Sequence, residues 1–174
     1  AEKIKQTEAN MQALNKAISK EIARITAKPG RVNVKLSKNF AGNKGRLPWP
    51  MPKSVGTVIR HFGKNRIQET NTEIDLQGID IATREDQPVR AIFEGVVAQV
   101  MPVPGQGRIG IVQHGEYYSV YANLEDVIVK TGDNVDMLQT IGQAYTDAGG
   151  ISKVHFQLYK GRKAEDPEKW LIRK

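Results

Sequence analysis

The chain has 174 residues, 39% of them hydrophobic and 6% aromatic, which is enough for one ordinary domain plus an extension. Cysteine is absent, so disulfides and thiolate metal sites are excluded, and no apolar run approaches the roughly 18 residues of a membrane helix. The net charge of +7 lies almost wholly in residues 1–38, which hold nine Lys/Arg and three Glu, so the remainder is near neutral and offers no basic stripe for nucleic acid. The basic start reads as the solvated face of a helix rather than an arm for anionic lipid or nucleic acid. No signal peptide is visible. Ala1 in place of Met fits a processed or shortened chain, compatible with a removed export signal.

Residues 1–28 read as a coiled-coil-type helix. Ile4, Met11, Ile18 and Ile25 recur every seventh residue, and Leu14 and Ile22 widen the stripe. So short a helix cannot bury such a seam alone. It needs a continuation upstream, a second helix or subunit, or the body of the same chain. Pro29-Gly30 ends it, since Pro lacks an amide donor and Gly admits left-handed backbone. Residues 29–50 lack periodicity and carry Gly42, Gly45, Pro48 and Pro50. They read as a linker lying on the next domain, with Trp49 as its anchor.

Residues 51–174 read as an antiparallel, mainly β domain. Val55–Phe62, Ile79–Ala82, Val89–Ile92, Gly95–Met101, Arg108–His114, Tyr117–Ala122 and His155–Tyr159 are short runs of β-branched and aromatic residues between turn formers. His114-Gly115-Glu116-Tyr117 reads as a tight hairpin. Trp170, near the end, packs back onto the body. The Val127–Val135 stretch followed by Thr140-Ile141-Gly142 looks like a hairpin of biotinyl or lipoyl carriers, but no lysine sits in the modified context at its tip. No Ser-His-Asp order, P-loop or dinucleotide-binding glycine pattern is present.

Several stretches occur together in an informative order: Gly78-Ile79-Asp80-Ile81-Ala82, Val89-Arg90-Ala91, Gly95-Val96-Val97, Tyr121-Ala122-Asn123-Leu124, the Gly132-Asp133 turn, Ile141-Gly142 and Val154-His155-Phe156-Gln157-Leu158. The ordered set resembles the lysostaphin/LytM-type zinc metallopeptidase family over most of residues 48–171. The resemblance implies a LytM-like duplicated hybrid motif (barrel-sandwich) fold. It also implies a zinc site whose ligand positions fall on Leu76, Asp80 and His155, with two further histidine positions at Asn123 and Lys153. Leu76 has no lone pair, and Lys153 is a cation. Asp80 and His155 are too few for a catalytic zinc, which takes three protein ligands and an open position. Glu73 and Asp75 are poor substitutes, because strand alternation turns Asp75 away from the face of Leu76. The expectation is a pseudo-enzyme with no catalytic residues, no metal and no cofactor. His114 reads as structural, and His61 as a rim residue.

Phe40–Pro50, with Asn43-Lys44-Gly45-Arg46-Leu47-Pro48-Trp49-Pro50 at its end, resembles the segment that follows the coiled coil in EnvC-like murein hydrolase activators. That resemblance implies export to the periplasm, and binding and activation of a peptidoglycan amidase during cell-wall remodelling and daughter-cell separation. The emptied peptidase groove would hold the partner's segment, with Leu76, Asp80, Tyr118, Tyr121, Asn123, Lys153 and His155 as candidate contacts. Lys153→Glu is expected to weaken the partner while sparing the fold. Two alternatives remain: a zinc-dependent peptidoglycan endopeptidase with altered ligands, and a non-catalytic peptidoglycan-binding module.

Overall fold

The structure, a computed structural model, describes residues 2–27, 32–67 and 71–173, with the side chains of residues 2–8 and 67 outside that description. Pro29-Gly30, read above as a helix stop, and the Ile4 side chain fall outside the described residues. Two helices come first, α1 (Glu2–Ala27) and α2 (Val34–Gly42). Twelve strands follow: β1 (Gly56–Arg60), β2 (Gly63–Ile67), β3 (Thr72–Leu76), β4 (Ile79–Thr83), β5 (Pro88–Arg90), β6 (Gly95–Pro102), β7 (Arg108–His114), β8 (Tyr117–Glu125), β9 (Asn134–Val135), β10 (Thr140–Ala144), β11 (Lys153–Lys160) and β12 (Lys163–Glu165). A single helical turn, α3 (Pro167–Trp170), closes the order.

Ten strands form one antiparallel sheet along β1-β4-β11-β8-β7-β6-β9, with β10 on β5 and β8, and β12 on β11. The β2–β3 hairpin stands apart. This is the mainly β, antiparallel architecture with a leading helix that the sequence predicts. The strand alternation sorts the sheet into two faces. Ile79, Ile81, Val112, Tyr121, Val154, Phe156 and Leu158 turn into the main core. Ile109, Ile111, Tyr118, Val120, Ala122 and Tyr159 turn the other way.

That second face is covered by α1. Leu14, Ile18 and Ile22 are at most 1% exposed and pack directly on it. Of the three ways left open for burying that stripe, the structure shows the body of the same chain. The stripe's buried members follow the 3–4 spacing of a helix lying on a surface, Met11, Leu14, Ile18 and Ile22. Burying an aliphatic side chain of this size stabilises by roughly 1.5–3 kcal/mol, so the docking is a substantial interaction. Polar contacts fix its register: Gln157 Nε2 donates to Asn15 Oδ1 (3.1 Å), Gln106 Nε2 to the Asn10 carbonyl (3.0 Å), Gln99 Nε2 to Glu21 Oε1 (3.1 Å), and Arg162 Nε to Thr26 Oγ1 (2.8 Å).

The linker read from sequence over residues 29–50 contains α2. Its N-cap Asn33 accepts from the Leu36 amide. The short helix carries Phe40 into the core, where its ring stacks on His114 (4.8 Å) and Tyr117 (4.8 Å) and lies 5.4 Å from Trp170. One aromatic cluster thus ties the bridge, the β7–β8 hairpin and the C-terminal turn together. Trp49 is buried, and its indole N–H donates to the Ile172 carbonyl (2.7 Å).

At the β7–β8 turn, Gly115 has φ +72°, and a Cβ there would overlap Ser37 Oγ and the Ser37 amide of α2. Ser37 Oγ accepts from the Glu116 amide (2.8 Å) at the same place. Gly115→Ala is therefore expected to lower stability by about 2 kcal/mol or more, from the left-handed backbone and the displaced helix together, measured as a reduced urea midpoint.

Candidate functional site

Of the residues that the sequence singled out, the face under α1 holds Asp80, Tyr118, Lys153 and His155. Arg60, Asp80, His155 and Ala122 form one cross-strand row on β1, β4, β11 and β8. Period-two alternation places Lys153, His155, Gln157 and Tyr159 along β11 on the same face. Asp80 and His155 are fully buried, and His155 Nδ1 lies 2.7 Å from Asp80 Oδ1. Gln157 Nε2 lies 2.8 Å from His155 Nε2, and the Tyr159 hydroxyl donates to Gln157 Oε1 (2.6 Å). An amide N–H must donate, so Nε2 accepts and the ring proton sits on Nδ1, shared with Asp80. Gln157 uses its second N–H on Asn15 of α1.

The charge of Asp80 is held by its neighbours. Burial alone would raise its pKa. The hydrogen bond from His155 and the nearby cations Lys153 and Arg60 outweigh burial and keep the carboxyl below its ordinary value. Arg60 Nη1 forms an ion pair with Asp80 Oδ2 at 3.9 Å, and both atoms are buried without a hydrogen-bond partner. A register shift between Val58 and Arg60 brings the guanidinium to this place. Burial raises the Tyr159 pKa to about 12, against a lowering hydrogen bond from Ser19 of α1, so the phenol stays protonated and donates.

The residues do not fit the zinc that the fold would bring. A zinc ligand must offer a free lone pair. Here one ring nitrogen of His155 carries the proton shared with Asp80, and the other already accepts from Gln157. Leu76 is apolar and 1% exposed, while Glu73 and Asp75 on the same strand are exposed. Arg60 brings a positive charge to the one free carboxylate oxygen. Among the described residues no three His, Asp or Glu side chains gather round a common point.

The other candidates divide. Lys153 and Asn123 line a small cavity of about 90 Å³ that Asn10 and Met11 of α1 close. Asn123 takes φ +60°, and its Nδ2 donates to the Gln106 carbonyl (3.2 Å), so it braces the 103–107 loop. Tyr118 lies beneath α1. Tyr121 is a correction: it faces the main core, where its hydroxyl accepts from the Ile92 amide (2.9 Å), and it offers nothing to the groove. His61 lies outside the groove and pairs with Glu168 of α3 at 2.5 Å. Sequence reasoning missed Arg60 and Gln157. The two-residue step from His155 marks Gln157 as a groove residue. Arg60 carried no such signal, because its place depends on the bulge.

Fold and site together define a metallopeptidase-type β domain in which Asp80, His155, Gln157 and Tyr159 form one hydrogen-bonded row. The profile of peptidase family M23 matches residues 75–167, more than half of the chain, and the chain belongs to that family. The Lipoprotein NlpD/LppB homolog of Pseudomonas aeruginosa is 31% identical over 128 residues, 72% of this chain and 40% of that protein. The murein hydrolase activator EnvC of Escherichia coli is 26% identical over 132 residues, 75% of this chain and 30% of that protein. The chain thus spans less than half the length of these relatives. Among solved structures, a chain of the SpoIIQ-SpoIIIAH pore forming complex superposes with TM-score 0.62 at 26% identity, covering 75% of this chain and 92% of that one.

Proposed function

We propose that the protein is a non-catalytic LytM-domain component of the bacterial cell envelope that binds and activates a peptidoglycan amidase during cell-wall remodelling. The observation that carries this reading is the occupied state of His155. With both ring nitrogens used, the groove keeps its shape and has no position for an activated water. Relatives named as murein hydrolase activators and as lipoproteins support the envelope setting and a protein partner. No described helix is long and apolar enough to cross a membrane.

The groove is covered by α1, so the partner engages after α1 leaves. The exposed row then offers Tyr118, Val120 and Ile111 as apolar contacts, with Gln157 and Lys153 for polar ones. Lys153→Glu is a poor test of partner binding, since it places a second carboxylate beside buried Asp80. Lys153→Ala removes the cation alone. In pull-down and calorimetry with a peptidoglycan amidase, it is expected to weaken binding about tenfold, the effect of one charged contact of about 1.4 kcal/mol. Unchanged affinity for Lys153→Ala would remove that residue from the interface, and an amidase that neither binds nor is activated would overturn the reading. Sedimentation with purified peptidoglycan in the absence of any amidase would instead favour a wall-binding module.

A further inference from the structure

A second recess lies on the opposite side of the sheet from α1. Its volume is about 640 Å³. Trp49, Met51, Val58 and Ile81 line its apolar part, and Gly56 of β1 packs closely on Ile81 and Met51. The polar lining is Lys53, His61, Asp166, Glu168, Lys169 and Arg173. The two carboxylates are already engaged: Asp166 caps α3 by accepting from the Glu168 amide (3.0 Å), and Glu168 pairs with His61. Lys53, Lys169 and Arg173 remain as cations round an apolar cleft. Lys53 Nζ is held 5.1 Å above the Trp49 ring.

The strand bordering this recess is an edge. Among the described residues β1 pairs with β4 alone, so its outer side presents backbone donors and acceptors to solvent. Thr57 and Ile59 on this strand are exposed, while Val58 turns into the recess.

The geometry points to a docking site for an extended acidic segment of a partner protein, lying antiparallel or parallel along β1. One apolar side chain of that segment enters the Trp49–Met51–Val58 recess, and flanking carboxylates meet Lys53, Lys169 and Arg173. Main-chain pairing supplies the affinity of strand addition, and the recess and its cations supply the choice of sequence. An acidic segment is the occupant because three cations, Lys53, Lys169 and Arg173, outnumber the two carboxylates of the lining, each of which already accepts a hydrogen bond. The site is separate from the groove under α1 and stays open while that groove is covered.

The test uses the whole chain and a fluorescein-labelled peptide, Asp-Glu-Val-Leu-Val-Glu-Asp, against its counterpart with Lys and Arg at the acidic positions. The acidic peptide is expected to bind, with affinity falling as salt rises, and to protect the amides of 56–60 from hydrogen exchange. Lys53→Glu/Lys169→Glu, a change of two exposed side chains, is expected to weaken it about tenfold or more. Equal binding of both peptides, no binding at millimolar concentration, or indifference to the charge reversal would overturn the proposal. So would tighter binding when α1 is released by Ile18→Asp, because the peptide would then be reading the groove.

Discussion

Ile18→Asp is expected to release α1 from the sheet while leaving the β domain folded. Ile18 is fully buried between Leu14 and Ile22 over the β7–β8–β11 face. A carboxylate there has no partner, and burying an unpaired charge costs several kcal/mol, so the cheaper outcome is undocking. The polar contacts at Asn15, Glu21 and Thr26 pass to water once α1 leaves, because the departing helix uncovers buried Glu21 and Gln157. The readout is tryptic cleavage after Lys16, Lys20 and Arg24, expected to speed up by about a hundredfold for some 3 kcal/mol of lost docking energy. Protection of the β8 and β11 amides should persist. Unchanged cleavage would mean that α1 is held by something other than this apolar stripe. Collapse of the whole sheet would mean that α1 is part of the obligatory core and not a cover.

Acid should weaken the fold through a different residue. His114 is fully buried, with Nδ1 donating to the Glu94 carbonyl (2.7 Å) and Nε2 lying 2.7 Å from Ser119 Oγ, itself 2.9 Å from the Tyr121 hydroxyl. Burial drives its pKa down to about 4, although the bond to Glu94 opposes the shift. The native state therefore holds the neutral ring. Between the unfolded pKa near 6.5 and the folded value, the unfolded chain binds more protons than the native one. This contribution is fully present above pH about 6.5 and is lost progressively as pH falls towards 4, about 3 kcal/mol in all. Urea midpoints measured from neutral pH down to pH about 4.5 should fall accordingly. His114→Gln, which keeps a donor and an acceptor, should flatten that slope while lowering the neutral-pH midpoint. A parallel slope in the variant would assign the acid sensitivity to other groups.

Much of the fold was legible because strand periodicity and turn residues carry it locally. Arg108–His114 was read with the bounds it has in the sheet, and the His114–Tyr117 hairpin stands where Gly115 placed it. The helix α2 was not legible: nine residues with three lysine or asparagine side chains on the solvent side show little period, and only Phe40 and the Asn33 cap mark it. The β2–β3 hairpin was missed because Gly63-Lys64-Asn65-Arg66 is polar and reads as a turn rather than a strand. At the site, the departure from the family's pattern could be read from Leu76 at a ligand position and from Asn123 and Lys153 at the two further histidine positions. What replaced that pattern could not. The role of Arg60 depends on a register shift, that of Gln157 on the tautomer of His155, and the covering of the groove on which surface the α1 stripe chose. The stripe itself was plain in the sequence, but an apolar stripe specifies burial and not its partner.

The central claim is that this groove lacks a metal position because its remaining ligands are bonded to one another, not because α1 hides them. The measurement that separates the two is a calorimetric zinc titration of the Ile18→Asp variant, in which the groove is uncovered, beside the unaltered chain. The account predicts no saturable uptake of one zinc per chain in either protein. Tight uptake of one zinc by the uncovered variant, with cleavage of muropeptides, would contradict it and return the chain to the metallopeptidases.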